Sequence, residues 1–203
     1  MALTALLLYL IASGLAFGWR TFLHWRRTGD SGLRLDAGPV GSLSWWAKLA
    51  FVAALVLGLA GPVAALAGLA PLSALDHPLA RAAGLAIALG GAVATLAAQL
   101  AMGASWRIGV DASERTALVT DGPFALARNP IFTAMITTSC GLTLMTPNPV
   151  ALLALVTLVT SVQLQVRAVE EPYLRRVHGC AYRHYAAGVG RFLPGVGRLP
   201  HAH

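Results

Sequence analysis

With 203 residues, the chain has room for one domain or two. Hydrophobic residues make up 57% and charged residues 11%, where a soluble domain carries about 25% charged residues. A soluble bundle would need several long helices without a polar stripe, so this composition excludes it in favour of an integral membrane protein. The net charge of +7 is spread over separate segments with no compact basic block, which reads as contact with anionic lipid head groups and not with nucleic acid.

The first apolar run, 2–23, lacks the positive start of a signal peptide and ends at Trp19, Arg20 and Trp25, an interfacial anchor. It is therefore expected to be a first transmembrane helix. Leu49 to Ala70 is 22 residues without a charge, and Ala82 to Trp106 is 25. Ile131 to Val166 is 36, interrupted by Thr146-Pro147-Asn148-Pro149. At about 1.5 Å per residue, 22 residues reach ~33 Å, enough for a ~30 Å hydrocarbon core. Five spans are expected, over 2–23, 46–70, 82–104, 131–146 and 149–167. The tight Pro147-Asn148-Pro149 turn makes the last two an antiparallel hairpin. Gly58, Gly61, Gly68, Gly84, Gly90 and Gly91 read as small residues that let helices approach closely.

Every Lys and Arg except Arg81 falls in the segments between spans one and two, between three and four, or after five, or at the span ends that border them. The positive-inside rule then places the N-terminus outside and residues 24–45, 105–130 and 168–203 in the cytoplasm. The fold class expected is an all-α integral membrane protein with a C-terminal cytoplasmic pocket, in the cell's inner membrane. It divides into helices one to three (1–105) and a functional core (106–203). Cys140 and Cys180 differ in expected depth, so no disulfide is expected. The spacing of His178, Cys180 and His184 matches no standard zinc pattern, and no metal is expected.

Polarity concentrates in two places. In Leu118 to Phe132, Asp121-Gly122-Pro123 signals a turn and Arg128-Asn129-Pro130 sets a proline at the start of span four. Such a start leaves backbone N–H groups free at the positive end of the helix dipole, an arrangement that either binds an anion or serves as an ordinary interfacial cap. In Val166 to Tyr185, Arg167 lies three residues before Glu170 and four before Glu171, so all three can share one helix face. A pair of glutamates at a membrane exit needs cationic partners. The short hairpin turn returns span five to the face where span four began, which brings the two clusters together.

These residues carry a resemblance. The pattern SWRIGVD…LVTDGPFALARNPIF…PNP…R..EE..L…HG..Y..Y…VGRFLP, over about residues 103–195, resembles the membrane methyltransferase family of isoprenylcysteine carboxyl methyltransferases and phospholipid N-methyltransferases. The resemblance implies S-adenosylmethionine bound in a cytoplasmic pocket, with Thr116, Ala117, Leu118 and Val119 bordering it through backbone groups. It sets Phe124 where the family usually has tyrosine. Asn129, Pro130, Ile131 and Phe132 match the RHPxY element, with Asn for His and Phe for Tyr. Glu170 matches the glutamate that holds the cofactor's ammonium, with Glu171 beside it in the cofactor set. Arg167 lies near the substrate-binding arginine of the carboxyl methyltransferases.

Asn129 cannot titrate near neutral pH as histidine does, and the two phenylalanines make the pocket more apolar. An already ionised carboxylate or thiolate acceptor needs no base, so an isoprenylcysteine-like carboxylate leads, followed by a phospholipid amine or a small thiol. A lipophilic tail would enter from the bilayer and the cofactor from the cytoplasm. Two other classes remain open: an NADPH-dependent membrane reductase and a non-enzymatic membrane binding protein.

Overall fold

The computed structural model describes residues 1–33, 38–106 and 117–200. Among these no strand forms, apart from one isolated parallel bridge between Ala127 and Gly190. The helices are α1 (Ala2–Thr28), α2 (Leu43–Leu66), α3 (Pro78–Ala101), the single-turn α4 (Pro123–Leu126), α5 (Pro130–Met145) and α6 (Pro149–Gly188). Helices α1, α2, α3 and α6 are each long and apolar enough to cross a membrane, and α5 is a shorter apolar helix. The expected all-α membrane architecture is therefore present.

The helix starts follow from local chemistry. Proline stands at the first turn of α3, α4, α5 and α6, where its missing N–H costs nothing. Ser42 caps α2 by accepting from the Trp45 N–H at 3.2 Å, and His77 Nδ1 accepts from Leu79 N–H at 3.2 Å. Asn148 has two roles at the turn between α5 and α6. Its Oδ1 accepts from the Ala151 N–H at 2.9 Å, and its Nδ2 donates to the Gly61 carbonyl of α2 at 2.9 Å. Leu72 N–H donates to the Pro147 carbonyl at 2.6 Å, closing the same end of the bundle.

The hairpin forms as expected, but its arms pack less against each other than against earlier helices: α5 lies on α3, and α6 on α2. Glycine makes the first pairing possible. A Cβ on Gly141 would overlap the Ala88 backbone nitrogen, and one on Gly91 would sit 2.5 Å from the Thr138 nitrogen. Gly58, Gly61 and Gly84 also face close neighbours. Gly68 and Gly90 do not: nothing lies within 4 Å of a Cβ at either, and Gly68 instead takes φ of 92° just past the end of α2.

Two helices run further than their apolar stretches suggest. Helix α1 continues to Thr28, and α6 continues past 167 to Gly188, bending at Gly179 (φ 51°, ψ −119°). Each contains a π-helical turn, Gly14–Trp19 in α1 and Gln165–Glu170 in α6. Arg81 shares one end of the bundle with Met1, Leu69 and Pro147, and most of the basic residues belong to the opposite end. There Arg20, buried, donates through Nη2 to the carbonyls of Gln99 (3.3 Å) and Gly103 (3.0 Å) at the end of α3, and its guanidinium lies 4.6 Å from the centre of the Trp106 ring. A cation is favourable at that negative helix end.

Candidate active site

The site begins where α5 starts. The strand-like segment before it pairs with the C-terminal segment: Arg128 N–H donates to the Gly190 carbonyl at 2.8 Å, and Asn129 N–H to the Arg191 carbonyl at 3.1 Å. Side chains extend the pairing. Asn129 Nδ2 donates to the Arg191 carbonyl at 3.0 Å, and Thr133 Oγ1 to that of Phe192 at 2.8 Å. The C-terminal segment is itself a tight loop, closed by Arg191 N–H donating to the Val196 carbonyl at 2.7 Å. A Cβ on Gly190 would collide with the Leu193 carbonyl oxygen, so the loop needs glycine there.

Glu171 is the electrostatic centre. It is buried, and its carboxylate accepts from Arg128 Nη2 at 2.9 Å, from Arg191 Nε at 2.7 Å and from Arg191 Nη2 at 3.0 Å. Those hydrogen bonds, with the attraction of the carboxylate charge, hold the Arg191 guanidinium above its ordinary pKa. Arg128, also buried, further donates to the Ala186 carbonyl at 3.1 Å and the Gly197 carbonyl at 3.0 Å, which leaves its Nε buried without a partner among the described residues. Helix start, α6 and the C-terminal loop are thus joined through one carboxylate.

The remaining sequence-derived residues fall around this junction unevenly. Phe124 is buried on α4, and its carbonyl accepts from the Tyr185 hydroxyl at 2.6 Å. Pro130 and Ile131 form the half-buried first turn of α5. Phe132 packs with Phe192 against a core of Ala54, Leu158, Val162 and Val166. Leu118 and Val119 are half-buried, and Ala117 is exposed with its carbonyl accepting from Ser105 Oγ at 3.4 Å. Thr116 lies outside the described residues.

Arg167, Glu170 and Glu171, at the π-helical turn Gln165–Glu170 and just after it, differ in their surroundings. Glu171 turns inward to Arg128 and Arg191, while Arg167 is exposed with its Nε donating to Gln163 Oε1 at 2.8 Å. Glu170 is half-buried and accepts from Gln165 Nε2 at 3.3 Å.

The sequence motifs contained Arg128 and Arg191 without marking them as site residues. Their signal was present in the ARNP and VGRFLP stretches, but a pairing across 20 and 43 positions has no local signature.

A phospholipid methyltransferase family model matches residues 79–181, from the first turn of α3 to beyond the bend in α6. No curated protein matches the chain. The match spans α3, α4, α5 and most of α6, including Arg128, Asn129, Glu170 and Glu171. By this match over half its length, the chain belongs to the phospholipid methyltransferase family of integral membrane methyltransferases.

Proposed function

We propose that the chain transfers a methyl group from S-adenosylmethionine to a lipophilic acceptor at the cytoplasmic face of the inner membrane. The observation that carries this is the junction at Glu171, where the start of α5, the exit of α6 and the C-terminal loop converge on one buried carboxylate. The residues fit the cofactor's zwitterion. Glu170 offers a half-buried carboxylate for the ammonium, and the orphaned Arg128 Nε offers a donor for a carboxylate. The first-turn N–H groups of Ile131 and Phe132 have no partner within α5 and can receive polar atoms. Ala117, Leu118 and Val119 border the pocket, Thr116 joins them by resemblance, and Phe124 and Phe132 give it an apolar wall.

Bound there, S-adenosylmethionine supplies a methyl already activated by its sulfonium. The chain's own residues then need mainly to align the acceptor and keep water out. Among acceptors, a phospholipid-type amine has the support of the family match. The guanidiniums of buried Arg128 and half-buried Arg191 both serve Glu171, and exposed Arg167 is the candidate for an acceptor carboxylate. An isoprenylcysteine-like carboxylate is the second reading, favoured because it is already ionised while Asn129 cannot act as a base. Calorimetry of purified protein with S-adenosylmethionine and with NADPH tests the proposal. Saturable binding of the first alone supports it, and binding of NADPH alone replaces it with a reductase.

A further inference from the structure

Arg20 is buried on α1, where taking a charge out of water is costly. Arg26 and Arg27, further along the same helix, stay exposed. Arg20 instead turns to α3 and meets Gln99, which is buried as well. Their bonding is reciprocal. Arg20 Nη2 donates to the Gln99 carbonyl at 3.3 Å. Gln99 Nε2 donates in return to the Ala16 carbonyl at 3.1 Å, one turn before Arg20 and inside the π-helical turn Gly14–Trp19. Each side chain thus holds the backbone of the other helix.

This pair fixes register more than it adds stability. Nearer its start, α1 packs Ala5 in a cluster with Ala88 of α3, and alanine against alanine specifies helix register weakly, whereas a reciprocal polar pair fits one register. Arg20 Nε and Gln99 Oε1 are buried with no partner among the described residues, a cost that a purely stabilising contact would not carry. The hold extends past the end of α3. Arg20 also donates to the Gly103 carbonyl at 3.0 Å and lies 4.6 Å from the centre of the Trp106 ring. The His24 ring is 5.4 Å from that of Trp106, and a Cβ on Gly32 would sit 3.1 Å from both side chains. From the segment held in this way, Ser105 Oγ donates to the Ala117 carbonyl at 3.4 Å. By a second route, α3 itself touches α4, which carries Phe124.

We propose that Arg20 and Gln99 are positioning residues, a latch through which α1 sets the place of Ala117 and of α4 at the border of the cofactor pocket. That the border holds S-adenosylmethionine rests on the methyl-transfer reading; the latch itself does not. Arg20 lies before the family-matched residues and Gln99 within them, so the latch ties a helix outside the matched region to the site.

Two readings on the full-length protein test this: amide hydrogen exchange without ligand, and S-adenosylmethionine affinity by titration calorimetry. The amides to follow are Phe124, which donates to the Asp121 carbonyl at 3.1 Å, and Ala127, which donates to that of Pro123 at 3.3 Å. Arg20→Met and Gln99→Leu should each speed their exchange and weaken S-adenosylmethionine binding, both by about tenfold or more. Gln99→Leu keeps the cation and removes the hydrogen bond to Ala16, so it decides the matter alone if Arg20→Met does not fold. Asn148→Ala is the control, since it breaks a buried tie at the other end of the bundle. It should lower the thermal midpoint and leave both readings within about twofold. Unchanged exchange in the folded latch variants, equal acceleration in Asn148→Ala, or faster exchange with parental S-adenosylmethionine affinity would overturn the proposal. If the parent protein binds no S-adenosylmethionine, the methyl-transfer reading fails and exchange alone decides the latch.

Discussion

Arg128 and Glu171, 43 residues apart, meet at 2.9 Å with side chains only 2% and 5% exposed. Glu171 also holds Arg191, so one carboxylate fixes the start of α5 and the C-terminal loop together. Breaking a buried pair leaves an uncompensated charge and costs about 3–5 kcal/mol. Glu171→Ala should therefore lower the thermal midpoint of the detergent-solubilised protein by several degrees or more. An unchanged midpoint would mean that the junction does not hold the fold.

Glu170 should behave in the opposite way. If its carboxylate meets the cofactor's ammonium, Glu170→Gln weakens S-adenosylmethionine binding by ten- to hundredfold, the equivalent of the ~1.5–3 kcal/mol of a charge-assisted hydrogen bond. Its thermal midpoint without ligand should stay near that of the parent. Titration calorimetry alongside thermal unfolding distinguishes the two glutamates, and a wild-type affinity in Glu170→Gln would remove Glu170 from the cofactor site.

The packing of α3 on α5 predicts a contrast between glycines. Gly141→Ala places a methyl against the Ala88 backbone, which cannot yield without separating the helices, so the midpoint should fall. Gly90→Ala meets open space and should be neutral or stabilising by up to ~1 kcal/mol from helix propensity. Equal losses at both positions would contradict the observed helix interface.

Orientation follows from charge and has a direct check. Arg81 stands at the end of the bundle away from Arg20, Arg128 and Arg191. With the native cysteines replaced, Asp76→Cys should react with impermeant maleimide from outside intact cells, and Gly195→Cys should react only after lysis. The reverse result would invert the topology.

Arg167 decides between acceptors. Lysine cannot reproduce the two-pronged contact of a guanidinium with a carboxylate. For a carboxylate acceptor, Arg167→Lys should raise KM or lower kcat strongly with cofactor affinity unchanged. For an amine acceptor, turnover should hardly change, because the exposed Arg167 then serves to donate to Gln163.

The membrane helices were legible because each is an uncharged run, with a proline at the first turn of α3, α5 and α6. Their pairing was not: Gly141 reveals its role only against Ala88, and nothing local selects α3 over α6 as the main partner of α5. The meeting of the two polar clusters followed from the short turn at Pro147, and the Arg128–Glu171 pair realises it. The different surroundings of exposed Arg167 and buried Glu171 were not legible, because spacing along α6 does not tell which side meets the C-terminal loop. Arg191 stood in a recognisable stretch, yet its partner is set by how the C-terminal loop folds back.

Methyl transfer itself is measured most directly by incubating the purified protein with methyl-labelled S-adenosylmethionine and inner-membrane lipid extract, then identifying labelled lipids by chromatography and mass spectrometry. Label is expected in a chain-bearing lipid, strongly reduced in Glu170→Gln and absent with heat-denatured protein. Absence of labelled lipid from folded protein that binds S-adenosylmethionine, across phospholipid and prenylated carboxylate acceptors alike, would contradict it.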